Sequence, residues 1–136
     1  MKEVYMRFGE YIKKKRQEDP RELTLNDISS VIGISLNYLS EIEAGRRRPT
    51  PFDAEAIENF CAFLSLDDED KARIYDLAAK ERKEVPADIE DVFMHEPIGE
   101  YARRALRESN LGNITEEDWK QFIRESEAKK KRKSGK

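Results

Sequence analysis

The chain has 136 residues, 40% of them charged and 38% hydrophobic, with a mean hydropathy of −0.88. That size and polarity suit one small domain with an extension and leave little apolar material for a large core. The chain offers no stretch apolar enough for a transmembrane span or a secretory signal. One cysteine and one histidine exclude internal disulfides and four-ligand zinc sites, so a cytoplasmic location is expected.

The net charge of −3 is unevenly spread: residues 1–52 carry +2, residues 53–128 carry −11 and residues 129–136 carry +6. An acidic total does not argue against nucleic acid here, because phosphate attraction depends on the local patch that meets the duplex. The pattern predicts a binding end, an acidic body and a basic tail.

Helical periodicity runs through nearly the whole chain. Tyr5, Phe8, Tyr11 and Ile12 form the stripe of a first helix, which ends near Glu18 because Asp19-Pro20 breaks it. Thr24 caps a second helix, with Asp27 as its capping-box partner, and Leu25, Ile28, Val31 and Ile32 form its apolar edge. Gly33 stops it. Only Ile34 separates that glycine from Ser35, the cap of a third helix running to Gly45, so the two helices must cross steeply.

Arg46-Arg47-Arg48-Pro49-Thr50-Pro51 is a basic, proline-punctuated loop. A fourth helix follows, with Phe52, Ala56, Ile57, Phe60, Phe63 and Leu64 on one face. A fifth carries Ile74, Leu77 and Ala78, with Asp67 to Asp70 at its positive end. The pattern lapses at Lys83-Glu84-Val85-Pro86, where a boundary is expected. Beyond it lie a short helix at Ile89, Val92 and Phe93, an amphipathic helix with Ile98, Tyr101, Ala102, Ala105 and Leu106, and a last helix capped by Thr115 that holds Trp119, Phe122 and Ile123. The expected organisation is all-α: a five-helix domain over 1–83, a helical region over 84–128, and a disordered basic tail over 129–136.

The third helix carries the chemistry. Leu39 and Ile42 point to the core, which leaves Leu36, Asn37, Ser40 and Glu41 on the outward side. The DNA major groove admits an α-helix, and these side chains suit its edges: Asn37 for adenine, Glu41 for the cytosine amino group, Leu36 for the thymine methyl. Leu36 has an alternative in local packing against Tyr38 or the first helix, Glu41 in rejecting wrong sequences, and Tyr38 in contacting phosphate or acting as a half-buried wedge.

The run from Thr24 to Pro49, with Ile28 and Ile32, the Gly33-Ile34-Ser35 turn and Tyr38-Leu39-Ser40-Glu41-Ile42-Glu43-Ala44-Gly45, resembles the helix-turn-helix of the Xre family, which includes phage repressors and Cro proteins. The resemblance covers about residues 5–80. It implies a lambda-repressor-like fold, and it places Leu36, Asn37, Ser40 and Glu41 at base edges. It also lays Arg46, Arg47 and Arg48 along the DNA backbone. The side chains of Thr24, Asn26, Ser35, Tyr38 and Thr50 are further candidates for phosphate contact. Leu25 stands where many members carry a glutamine, which implies a weaker anchor. The family register further implies an ion pair between Arg16 and Glu43.

No catalytic constellation can be assembled. His95 reads as a surface or boundary residue and Cys61 as a packing residue, while Asp67 to Asp70 lack the spacing of a calcium loop. A non-enzyme without cofactor or metal is expected, with double-stranded DNA as its partner and no membrane. Ile98, Tyr101, Leu106, Trp119 and Phe122 supply a homodimer interface, hold another protein, or complete a helical core. Two functions follow: a sequence-specific transcriptional regulator acting as a repressor, or an antitoxin-like interaction module whose helix-turn-helix autoregulates. The tail reads as a DNA arm, a cationic helix end or a solubilising terminus.

Overall fold

Helical periodicity becomes eight helices and no strand among residues 6–134, the part that the computed structural model describes. Tyr5, expected on the first apolar stripe, lies outside the described residues, as do Gly135 and Lys136 of the basic tail. The helices are α1 (Phe8–Glu18), α2 (Leu25–Ile32), α3 (Leu36–Glu43), α4 (Ala54–Leu64), α5 (Asp68–Arg82), α6 (Glu90–His95), α7 (Pro97–Asn110) and α8 (Glu116–Ser134). The fold is all-α. The chain divides into two compact units, one reaching Glu90 and one starting at Asp91. Residues 84–90 therefore group with the five-helix unit, beyond the boundary expected at Lys83.

Within the first unit, α1 packs on α3 and α5, α2 on α3 and α4, and α4 on α5. The centre is an edge-to-face aromatic chain in which Phe52 stands 5.0 Å from Phe8 and 5.7 Å from Phe60. Ile12, Ile28, Leu39, Ile42, Ile57 and Ile74 enclose it. Of the expected α2 stripe only Ile28 is fully buried, whereas Leu25 and Ile32 pack at the margin. Ile34 and Leu23, in the connections flanking α2, are buried too. Cys61 lies in this core, and burial pushes its thiol up to about 11.

Local chemistry sets the ends. Thr24 Oγ1 accepts from Asp27 N at 3.1 Å while Asp27 Oδ2 accepts from Thr24 N at 2.8 Å, the reciprocal box that opens α2. Gly33 ends it at φ 74°, a conformation that costs glycine nothing. Two ends differ from expectation. α3 stops at Glu43, ahead of Gly45, and α4 starts at Ala54 because Asp53 accepts from Ala56 N and leaves Phe52 in the loop.

In the second unit Gly99 sits against the backbone of Val92 and Phe93, so α6 and α7 meet closely. Arg103 donates to the Phe93 carbonyl. Trp119 Nε1 donates to Ser109 Oγ at 2.9 Å and ties α8 to α7. The run Lys129 to Lys133, expected to be disordered, is the last part of α8. Lysine and arginine are good helix formers, and cations at a C-terminus complement the helix dipole, which is why the helix continues through them.

Gly9 marks a close approach of α1 to α3: a Cβ there would stand 1.9 Å from the Ile42 carbonyl oxygen. Gly9→Ala must push α1 away from α3. We expect a loss of about 3 kcal/mol, the upper part of the overpacking range, read as a lower urea midpoint.

Candidate nucleic-acid interface

The outward face of α3 is where the expected base-reading residues lie. Leu36 is 44% exposed, Asn37 is exposed, and Ser40 and Glu41 are half-exposed. Leu39 and Ile42 fill the core beneath them. Leu36 thus projects outward and is not part of the core, while Tyr38 is half-buried and packs at the core margin. Ser35 Oγ accepts from Tyr38 N at 3.2 Å, so its acceptor function is used in capping α3. No hydrogen bond engages the Asn37 amide among the described residues.

The opposite side of α3 is tied down. Arg16 Nε and Nη2 donate to the two carboxylate oxygens of Glu43, both at 2.9 Å, and Arg16 Nη1 donates to the Leu23 carbonyl at 2.9 Å. The two side chains are only 12% and 6% exposed. A parallel two-point contact fixes orientation as well as distance. Arg16 therefore links α1, the loop before α2 and the end of α3.

The loop after α3 is gripped at both ends by side chains that local sequence rules do not single out. Arg82, at the end of α5, donates through Nη2 to the carbonyls of Pro49, Thr50 and Phe52 at 2.6, 3.0 and 2.8 Å. Arg7 donates to the Gly45 carbonyl at 3.2 Å and to Glu81 at 2.9 Å. Glu81 also accepts from Phe8 N at 3.0 Å, so it occupies the N-terminus of α1. The sequence separations are thirty residues or more, and the only local signal is that Arg82 is a cation in a last helical turn.

The three loop arginines are not equivalent. Arg47 Nε donates to Glu41 Oε1 at 2.8 Å, and its guanidinium carbon lies 4.8 Å from the centre of the Tyr38 ring. Arg46 Nε stands 3.5 Å from Glu41 Oε2. Arg48 is exposed and has no ion-pair partner among the described residues. The Arg47 hydrogen bond, with the charge of Arg47 and Arg46 added, holds the Glu41 carboxyl below the usual glutamate range, so the pair stays charged at neutral pH. At the start of α2, Thr24 and Asn26 are exposed, but the capping box already uses the Thr24 and Asp27 amides, and the Asp27 carboxylate fills part of the space an anion would take. Thr50 is exposed beside the arginines.

The helix-turn-helix family model matches residues 12–68, a span that contains α2, the turn, α3, the arginine loop and all of α4. No curated protein and no solved structure gives a significant match.

Removing Glu43 strands a nearly buried guanidinium against the end of α3. Glu43→Ala is expected to cost about 3 kcal/mol, the scale for breaking a buried pair by deleting one partner. Chemical denaturation of the two single variants and of the Arg16→Ala/Glu43→Ala double variant should give a double loss smaller than the sum of the singles.

Proposed function

We propose, for a chain whose residues 12–68 are a helix-turn-helix domain of the Xre/lambda-repressor-like family, a sequence-specific transcriptional repressor that reads the major groove with α3. The domain is of the DNA-binding regulatory kind. The observation that carries the finer reading is the outward row Leu36, Asn37, Ser40 and Glu41 on a helix whose inner side is fixed by Arg16–Glu43. A helix of about 10–12 Å diameter fits a groove about 12 Å wide, N-terminal residues first. Asn37, whose amide has no hydrogen-bond partner among the described residues, presents both donor and acceptor to an adenine edge. Arg48, Thr50, Asn26 and the Thr24 hydroxyl supply phosphate contacts that set register.

The protein acts without catalysis, cofactor or metal, and its place of action is the cytoplasm, where the DNA is. No helix among the described residues is long and apolar enough to cross a membrane. Repression follows from occupancy: a protein bound over a promoter excludes polymerase.

Reading a single short site selects poorly among genomic sequences, and pairing two domains about a two-fold axis doubles the recognised sequence. The second unit suits that task. Ile98, Tyr101, Leu106 and Phe122 are each at least half exposed, and Trp119 stacks edge-to-face on Phe122 at 6.4 Å. Aromatic anchors of this kind form the centres of interfaces. The acidic charge from 53 to 128 disfavours contact of this region with phosphate.

Two measurements test the proposal. On a duplex obtained by selection from random DNA, Asn37→Ala should lose about 1–3 kcal/mol of binding and relax preference at one base pair. Arg48→Ala should weaken all duplexes evenly and make the salt slope shallower by about one. Identical profiles for the two variants would overturn the orientation of α3. In sedimentation the full chain should be a dimer at micromolar concentration and a chain ending at Glu90 a monomer. A full-length monomer, in solution and on its operator, would favour the antitoxin-like reading, with the same apolar residues holding a different protein.

A further inference from the structure

Arg47 is held unlike its two neighbours, and both of its partners belong to α3. Glu41 fixes the Nε edge at 2.8 Å and the Tyr38 ring lies beneath the guanidinium at 4.8 Å. The side chain thus folds back over the outward face of the recognition helix and does not extend along the loop. The pair is exposed, with 52% of the Arg47 side chain and 37% of the Glu41 side chain open to solvent, so it contributes little to folding. Its effect is orientation. A hydrogen bond along one edge and an aromatic face below set the plane of the fork and leave the Nη1 and Nη2 end for a ligand.

Two parallel N–H groups at that end match O6 and N7 of guanine in the major groove, the commonest specific contact between arginine and DNA. We propose that Arg47 reads a guanine, with Glu41 and Tyr38 as its positioning residues, and that it is not a backbone contact. The assignment rests on α3 being the helix that enters the groove. It also accounts for a carboxylate on a DNA-facing surface. Unpaired, Glu41 would repel phosphate; bonded to Arg47 and flanked by Arg46 at 3.5 Å it is neutralised. Glu41 then accepts from Arg47, which replaces the cytosine contact expected from the sequence.

The test uses the full chain and the duplex that selection from random DNA returns. Each guanine is replaced in turn by 7-deazaguanine, which lacks the N7 acceptor, and binding is titrated at several salt concentrations. One guanine per half-site should lower wild-type affinity about ten- to a hundredfold. Arg47→Ala, which gives up the O6 contact as well as N7, should show a loss at least as large on the unmodified duplex and no further penalty from the 7-deaza substitution. Glu41→Gln, which keeps shape and removes the charge, should lose most of the discrimination at that same guanine while leaving the salt slope no shallower. Circular dichroism of both variants should be unchanged, since neither side chain is buried. If Arg47→Ala weakens every duplex equally, makes the salt slope shallower by about one and keeps the 7-deaza penalty, Arg47 is a phosphate contact and the proposal is overturned. If the wild-type chain binds no duplex above its binding to scrambled DNA, the groove-reading role of α3 falls, and the guanine contact with it.

Discussion

The orientation of α3 depends on one ion pair in which both charges have left water. Arg16 and Glu43 meet through two parallel hydrogen bonds of 2.9 Å, and the remaining nitrogen of the guanidinium is satisfied by the Leu23 carbonyl. An apolar pair of similar volume could fill this space at no loss of stability. It could not specify rotation about the helix axis as narrowly, because dispersion contacts tolerate sliding and a two-point hydrogen bond does not. Rotating α3 by a single residue, about 100°, would carry Asn37 and Glu41 off the outward side altogether. Gly9 supports the same constraint from the steric side, since only a residue without Cβ lets α1 lie against the Ile42 carbonyl. Attraction and close approach act on the same two helices, at neighbouring residues of α3 and about two turns apart on α1.

That arrangement separates what a local reading of the chain can reach from what it cannot. Thr24 with Asp27, Gly33 at positive φ, and Ser35 are all choices made within four residues of the backbone groups they satisfy, so residue type and spacing are enough to place them. The outward position of Leu36 and Asn37 follows from helical period once Leu39 and Ile42 are taken as core. The Arg16–Glu43 pair spans 27 residues and is reachable only through family register. Arg82 and Arg7 were not reachable by either route. Their acceptors are backbone carbonyls, which every residue has, so nothing in the identity of Pro49, Thr50, Phe52 or Gly45 announces a partner. The tail shows the limit of charge arithmetic. Five like charges in a row predict disorder, yet lysine and arginine propagate a helix that already exists and favour its C-terminal end.

Sequence also treats Arg46, Arg47 and Arg48 as one basic cluster, and side-chain geometry divides them. A residue's availability to phosphate depends on what it must release to get there. Arg48 has no ion pair to give up among the described residues. Arg47 must break a charge-assisted bond of 2.8 Å and leave an aromatic face. Both contacts are exposed, so the cost of release is small, but it differs between neighbours that composition counts alike. A cluster with graded availability can give electrostatic attraction at long range and still hold one member back for a directional contact.

The backbone of that loop is immobilised independently of its side chains. Arg82 gathers three carbonyls with a single terminal nitrogen, and Phe52, next to the residue that caps α4, is the middle ring of the aromatic chain in the core. Three converging carbonyl dipoles would repel one another without a cation among them, so Arg82 satisfies acceptors that no helix or strand could reach at this bend. Loops carry contacts well when a rigid scaffold positions them. Here the scaffold is reached from both ends: through Arg7 at Gly45, anchored by Glu81 of α5, and through Arg82, also of α5. Helix α5 makes none of the proposed contacts with DNA, but its last turn determines where the arginines begin and where they end. The entropy of ordering the loop is therefore spent on folding, and binding can proceed with that part of its cost already met.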